Sequence, residues 1–441
     1  MPDEKKIIFF KISWVCLLLG IICDYNLLEK LNAGFFSVNV RTSSIGILLY
    51  IVIFIVTFPL KKIPAFLKGK FDRQIIFLLS LLLIMAFISS AAGAWKSFAI
   101  GVTLFKYTLL FLCFIITVIY CNLYKQAIRF VFFSFVYFNL FIILSTFADF
   151  FIPSFNSLLT GKFGHMPDLV LKINGIIYAR PSGFITDTNL TAFTIAFCSL
   201  LVLLNADQFK FKYFEYIFYI LAGLSFGMLA SRSAMVIVLF SAGIFWVFRL
   251  ASRKQTVIFL LLFFIVQLLT PQTQARLNQY FSPVNYSQKE GIEEGRPIIW
   301  KAAMKAFYDH PVVGMGSGVF FKESDRYIKE VLAEQPLTED QKGLMEMMKK
   351  QEINPHSIFL AMMCEYGVIG LLLFLIFIAA LFKEYLQKKY FISAVMLVSV
   401  LFVSSFSNYA PYYKYYLVIC IIGFVLSKNN MKVNDTAESK A

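Results

Sequence analysis

Residues 296–320 read RPIIWKAAMKAFYDHPVVGMGSGVF, and residues 354–370 read NPHSIFLAMMCEYGVIG, running straight into an uncharged apolar segment. That segment has the length and composition of a membrane helix. A polar loop bearing arginine and histidine therefore ends at the mouth of a membrane span. The rest of the chain is apolar on the same scale. Of its 441 residues, 59% are hydrophobic and 17% aromatic, and mean hydropathy is +0.73, whereas soluble domains are roughly 45–50% apolar. Apolar runs at about 7–23, 42–60, 74–94, 98–121, 127–149, 187–205, 212–230, 233–250, 256–270, 357–381, 391–408 and 412–427 give about twelve spans. The first run has no small-residue cleavage site and reads as a retained span.

The expected fold is thus an all-α polytopic membrane protein of about twelve transmembrane helices, with a long, partly helical loop before the tenth. Residues 1–270 would carry spans one to nine, 271–355 the loop, 356–427 spans ten to twelve, and 428–441 a tail. No repeat signals duplicated halves.

The formal charge of +15 raises the question of nucleic acid, but in a membrane chain basic residues collect in loops facing anionic lipid. Counted in alternate loops, 20 Lys and Arg lie on the side holding both termini and 8 in the opposite short loops. Both termini are therefore expected in the cytoplasm. The segment 271–355, with 11 basic and 12 acidic residues, falls on the outer face. Arg180, Arg232, Arg296 and His356 then all face one compartment, which counting alone did not require.

Seven cysteines lie in or beside apolar runs with no CxxC pair, and only three histidines occur. The cysteines read as small core residues, and no metal site or cofactor is expected. Arg180 lies in RPSGFITDTN, whose Pro181 and Gly183 favour a turn and whose Asp187 to Asn189 can cap the next span. It either snorkels at the interface or binds an anion. Arg232 sits between two serines in a tight hairpin and must meet water, headgroups or a polar cavity.

Pro297 suits a helix's first turn, and Trp300, Ala303, Met304 and Phe307 recur at helical spacing. This places Arg296 at a helix start, beside unpaired N–H groups that favour an anion. The glycines of HPVVGMGSG read as a bend, and no dinucleotide site is expected, since no soluble strand precedes them. Residues 322–352 read as two polar helices, the second opened by a Thr338–Gln341 capping box.

His356 is expected in the first turn of span ten, where the helix dipole disfavours its protonated form. It is either a proton acceptor or a satisfied structural residue. Glu365 follows about 13 Å into the span, deep enough for a functional role or a pairing with Lys106. Gly367 and Gly370 would let another helix approach.

Together these pieces resemble the O-antigen ligase and O-antigen polymerase superfamily of bacterial envelope glycosyltransferases. They are, in order, RPSGF with Asn189, SRS around Arg232, the R-x-x-x-W of Arg296 and Trp300 with HPVVGMGSGVF, and His356 followed by FLAMMCEYGVIG. The resemblance covers roughly residues 178–372. Ser357 departs from the asparagine that follows the histidine in many members. The resemblance implies a GT-C-like helical enzyme of the bacterial inner membrane, working at the periplasmic face. It would perform metal-independent, inverting transfer from an undecaprenyl-diphosphate-linked glycan to a lipid A core or a lipid-linked glycan acceptor. Arg180, Arg232 and Arg296 would bind the diphosphate and His356 would be catalytic, with Asn189, Trp300 and Glu365 in support. A polysaccharide or lipid transporter or flippase is the competing reading. A scaffold for other assembly enzymes is a third.

Overall fold

The computed structural model describes residues 3–22, 26–33, 36–58, 70–94, 108–109, 112–113, 115–121, 123–163, 170–173, 176–185, 188–209, 211, 213–274, 277, 291–333, 355 and 357–387. The elements are α1 (Asp3–Ile22), β1 (Asn26–Ala33), β2 (Phe36–Arg41), α2 (Thr42–Thr57), α3 (Lys70–Ala94), α4 (Lys125–Phe151), α5 (Pro153–Phe163), β3 (Val170–Ile173) and β4 (Ile176–Ala179). They continue with α6 (Thr188–Leu204), α7 (Phe214–Leu229), α8 (Arg232–Val247), α9 (Arg253–Gln267), α10 (Gly291–Asp309), α11 (Val319–Ala333) and α12 (Ile358–Gln387).

The architecture is helical as expected, with two antiparallel two-stranded hairpins, β1–β2 and β3–β4, added in the connections. Runs of Phe, Ile, Leu and Val form helices here because only a helix satisfies its own backbone without water. Among the described residues, two helices are long and apolar enough to cross a membrane, Gln126–Phe151 and Ile358–Ala380. Shorter apolar helices include Ser44–Thr57, Thr191–Leu204, Phe214–Leu229 and Ala234–Val247. The expected eleventh and twelfth spans lie outside the described residues.

One large apolar core joins α1, α2, residues 115–121, α4 and α6 to α9. Within it several buried polar heads find partners, as burial of Trp and Tyr favours, while the Tyr219 hydroxyl has none among the described residues. Trp14 donates to Ser134 Oγ at 2.9 Å, while Tyr50 meets Thr117 at 2.9 Å and Tyr120 meets Thr57 at 3.0 Å. These contacts also give the bundle its two ends. Tyr124 reaches Asp3, and Phe209 stacks on Phe214 and meets Phe132 at a tilt, so the starts of α1, α4 and α7 share one end. Thr273 Oγ1 donates to the Gly227 carbonyl, which places the close of α9 beside the close of α7 at the other. The chain therefore alternates end to end through these helices.

A second, smaller core packs α10 and α11 against α3 and α12. Ala302, Ala303 and Ala306 are buried there with Phe320 and Tyr327. The buried stripe of α10 thus runs along Ile299, Ala302, Ala303 and Ala306, one position round from the expected one, with Trp300 and Met304 at its edge. Charges hold the outer rim together, as Arg326 pairs with Glu323, Glu330 and Asp309 and Lys305 with Glu330. The hydrogen bond to Glu330 raises the Arg326 guanidinium further above its ordinary value.

The largest departure from the expected helices is in α12, which breaks at Gly367 (φ 64°, ψ −166°). A break leaves backbone groups on both sides of it without helical partners, at roughly 2–7 kcal/mol each if they stay unpaired in an apolar medium. Here the 311–316 segment takes the place of the missing turn. Met315 N–H donates to the Cys364 carbonyl and Gly316 N–H to the Glu365 carbonyl, both at 3.0 Å, while Val368 N–H donates to the Pro311 carbonyl at 2.8 Å and Ile369 N–H to the Val312 carbonyl at 3.4 Å. The glycines are required by proximity: a Cβ on Gly314 would lie 2.3 Å from the Glu365 carbonyl, and one on Gly367 2.3 Å from the Val312 carbonyl. So HPVVGMGSG is more than a bend, and Gly367 receives a loop where a helix was expected.

Candidate active site

The RPSGF turn is built on the end of α4. Asp149, 5% exposed, accepts the backbone N–H of Ser182 at 2.8 Å and of Gly183 at 3.1 Å through Oδ2, and the Asn156 amide at 2.8 Å through Oδ1. Ser145 Oγ accepts the Phe184 N–H, and Thr191 on α6 donates to the Ser182 carbonyl. Pinned in this way, the turn delivers Arg180 to the α7–α8 hairpin. Arg180 Nε donates to the Leu229 carbonyl at 2.9 Å, one of the carbonyls that the end of α7 leaves without a helical partner. Its Nη2 donates to Asn189 Oδ1 at 3.3 Å, and the same oxygen accepts Ser231 Oγ at 3.1 Å. Ala230 makes the reversal in the left-handed conformation (φ 47°). Arg180, Asn189 and SRS, which lie far apart in sequence, are thus one hydrogen-bonded cluster.

Arg232 is the first residue of α8, immediately after this cluster. Arg296 lies in α10, but not at its start. The helix begins at Gly291 and runs through Pro297, with Glu293 and Glu294 in the first turns where the dipole favours acidic residues. The expectation of Arg296 beside free helix N–H groups is therefore corrected; a single proline removes one hydrogen bond and the helix continues. Trp300 is partly exposed and its buried Nε1 has no hydrogen-bond partner among the described residues.

His356 and Lys106 lie outside the described residues. The described part of the helix after His356 begins at Ile358. Ser357 occupies the capping position, with its Oγ 3.5 Å from the Leu360 N–H. Serine and asparagine cap equally well, which gives a physical reason for the departure at this position. Glu365, 2% exposed, is buried directly above the break in α12, and Ser89 on α3 donates to its carbonyl. Of the polar loop after α11, the second expected helix with its Thr338 cap lies outside the described residues.

Sequence reading missed Asp149 and Ser145. The signal was present in Asp149, an ionisable side chain at the end of an apolar run. Among the described residues no three His, Cys, Asp or Glu side chains gather.

Helices with apolar outward faces and polar connections at their ends are the features of an integral membrane protein. Residues 217–375, from α7 to the middle of α12, match the family model described as O-antigen ligase. The family is one of glycosyl-transferring enzymes. Arg232, Arg296, Trp300, His356 and Glu365 fall within the match, and Arg180 and Asn189 precede it. No curated protein matches the chain.

Proposed function

We propose that the protein transfers a glycan from an undecaprenyl-diphosphate carrier to a hydroxyl acceptor at the periplasmic face of the bacterial inner membrane. The acceptor is either lipid A core, as for a ligase, or a lipid-linked repeat unit, as for a polymerase. The observation that carries this reading is the Arg180–Asn189–Ser231 cluster, which ties Arg180 and Asn189 to the α7–α8 hairpin inside the matched span.

In this reading Arg180, Arg232 and Arg296 grip the diphosphate. Guanidinium pairs with phosphate in bidentate fashion and keeps its charge at any working pH. Asn189 orients Arg180, while Trp300 and Glu365 support the acceptor side. The acceptor oxygen attacks the anomeric carbon, the bond from that carbon to the diphosphate oxygen breaks with inversion, and the His356 imidazole takes the hydroxyl proton. Charge growing on the departing diphosphate is met by the arginines, so no metal is required.

The broken helix α12 is a feature that some transporters share. There, half-helix ends are open to substrate. Here the freed backbone groups are occupied by residues 311–316 of the same chain, which favours transfer over transport.

The test is transfer from purified undecaprenyl-diphosphate donor to acceptor in detergent with chelator. His356→Ala should keep donor binding and lose roughly 10²- to 10⁴-fold in turnover. An alanine variant with wild-type turnover would sink the catalytic assignment. In cells, deletion leaving lipid A core without long chains indicates the ligase, and deletion leaving a single capped repeat indicates the polymerase.

A further inference from the structure

We infer that residues 311–317 form a re-entrant tip seated in the hydrocarbon of the bilayer, beside the outward face of α12, with acyl chains as its partner. The inference rests on the chain's being a membrane protein and not on its reaction.

Two rulers give the depth. In α12 the first charged residue past the break is Lys383, which is exposed; from there to Ile369, whose N–H meets the Val312 carbonyl, is about 21 Å of helix. In α3 the last charged residue is Arg73, and Ser90, whose Oγ accepts the Ser317 N–H at 3.1 Å, stands about 26 Å further along. Both distances fall short of the ~30 Å hydrocarbon layer. The tip therefore lies about 4–9 Å inside its far boundary.

The surface agrees with that depth. Val312 is 55% exposed and Tyr308 69%, beside Val368, Ile369 and Leu372, which are also exposed and begin the lipid-facing side of α12. No ionisable residue occurs from Pro311 to Phe321. Irregular backbone at membrane depth survives only when its polar groups are satisfied by protein. The exchange of four hydrogen bonds with broken α12, together with Gly314 N–H to the His310 carbonyl at 3.1 Å, meets that condition. Asp309 and His310, both exposed, mark where the chain returns to the polar side.

The experiment uses the full chain in vesicles, with Val312→Cys and Asp325→Cys labelled by an environment-sensitive fluorophore and the wild-type protein as blank for native cysteines. In phosphatidylcholine brominated on its acyl chains, the V312C label should be quenched relative to unbrominated lipid, and the D325C label unchanged. Before labelling, V312C should stay unmodified by a membrane-impermeant thiol reagent that labels D325C to completion. A V312C site that reacts as D325C does is open to water and overturns the inference. So does a shielded but unquenched site, which would mean that protein or a bound polyprenyl chain covers the tip.

Discussion

Asp149 shows how one side chain can set the geometry of a site it does not enter. Two backbone N–H groups of the RPSGF turn end on one of its oxygens, and Arg180 begins two residues earlier. In Asp149→Ala those buried donors lose their acceptor, at about 1–3 kcal/mol each, and the turn that presents Arg180 loosens. Asp149→Asn keeps an oxygen for both N–H groups, and Asn156 can turn its own oxygen toward the new amide. We expect D149N to retain transfer and D149A to raise the donor KM with normal protein levels. If D149N fails as badly as D149A, the charge of Asp149 matters and its acceptor geometry alone does not explain it. Sequence reading found Arg180 and Asn189 because their residue types announce chemistry. It passed over Asp149 because its partners are backbone amides more than thirty residues away.

At the scale of elements, the joint between α12 and the 311–316 segment depends on Gly367. Alanine there must hold φ near 64° and place a methyl group 2.3 Å from the Val312 carbonyl. The conformation costs roughly 1–3 kcal/mol and the crowding about as much again. Gly367→Ala should therefore melt well below the wild type in detergent, while Gly243→Ala in α8, where nothing lies within 4 Å of the added methyl, should melt at or slightly above it. Equal melting of G367A and the wild type would mean that the loop does not fill the break. The apolar run 357–381 reads as one continuous span because hydropathy is blind to a backbone break. Only the neighbouring loop, supplying four hydrogen bonds, makes the break affordable.

For the whole molecule, the bundle's alternation and its charge asymmetry lead to one topology. Cysteines introduced at Asp325 should react with impermeant reagent from outside intact spheroplasts, and those at Ser252, between α8 and α9, only after permeabilisation. Reversed reactivity would turn the Arg180 end toward the cytosol and remove the proposed periplasmic chemistry. Ser252 is exposed and the Asp325 side chain is 41% exposed, so a failure to label reports the side of the membrane and not burial.

Hydropathy and residue type, which are local properties, were enough to read the helical, membrane-type character of the fold from the chain alone. A run of some twenty apolar residues has few alternatives to a membrane helix, and positive charge selects its orientation. What tertiary structure alone decided are the pairings: Arg180 with Leu229 and Asn189, Asp149 with the RPSGF turn, and the 311–316 segment with the break in α12. Helix boundaries moved for the same reason, with α10 starting before Pro297 and α12 after Ser357. Each depends on which distant backbone group comes within hydrogen-bonding distance, and no local pattern of residues records that.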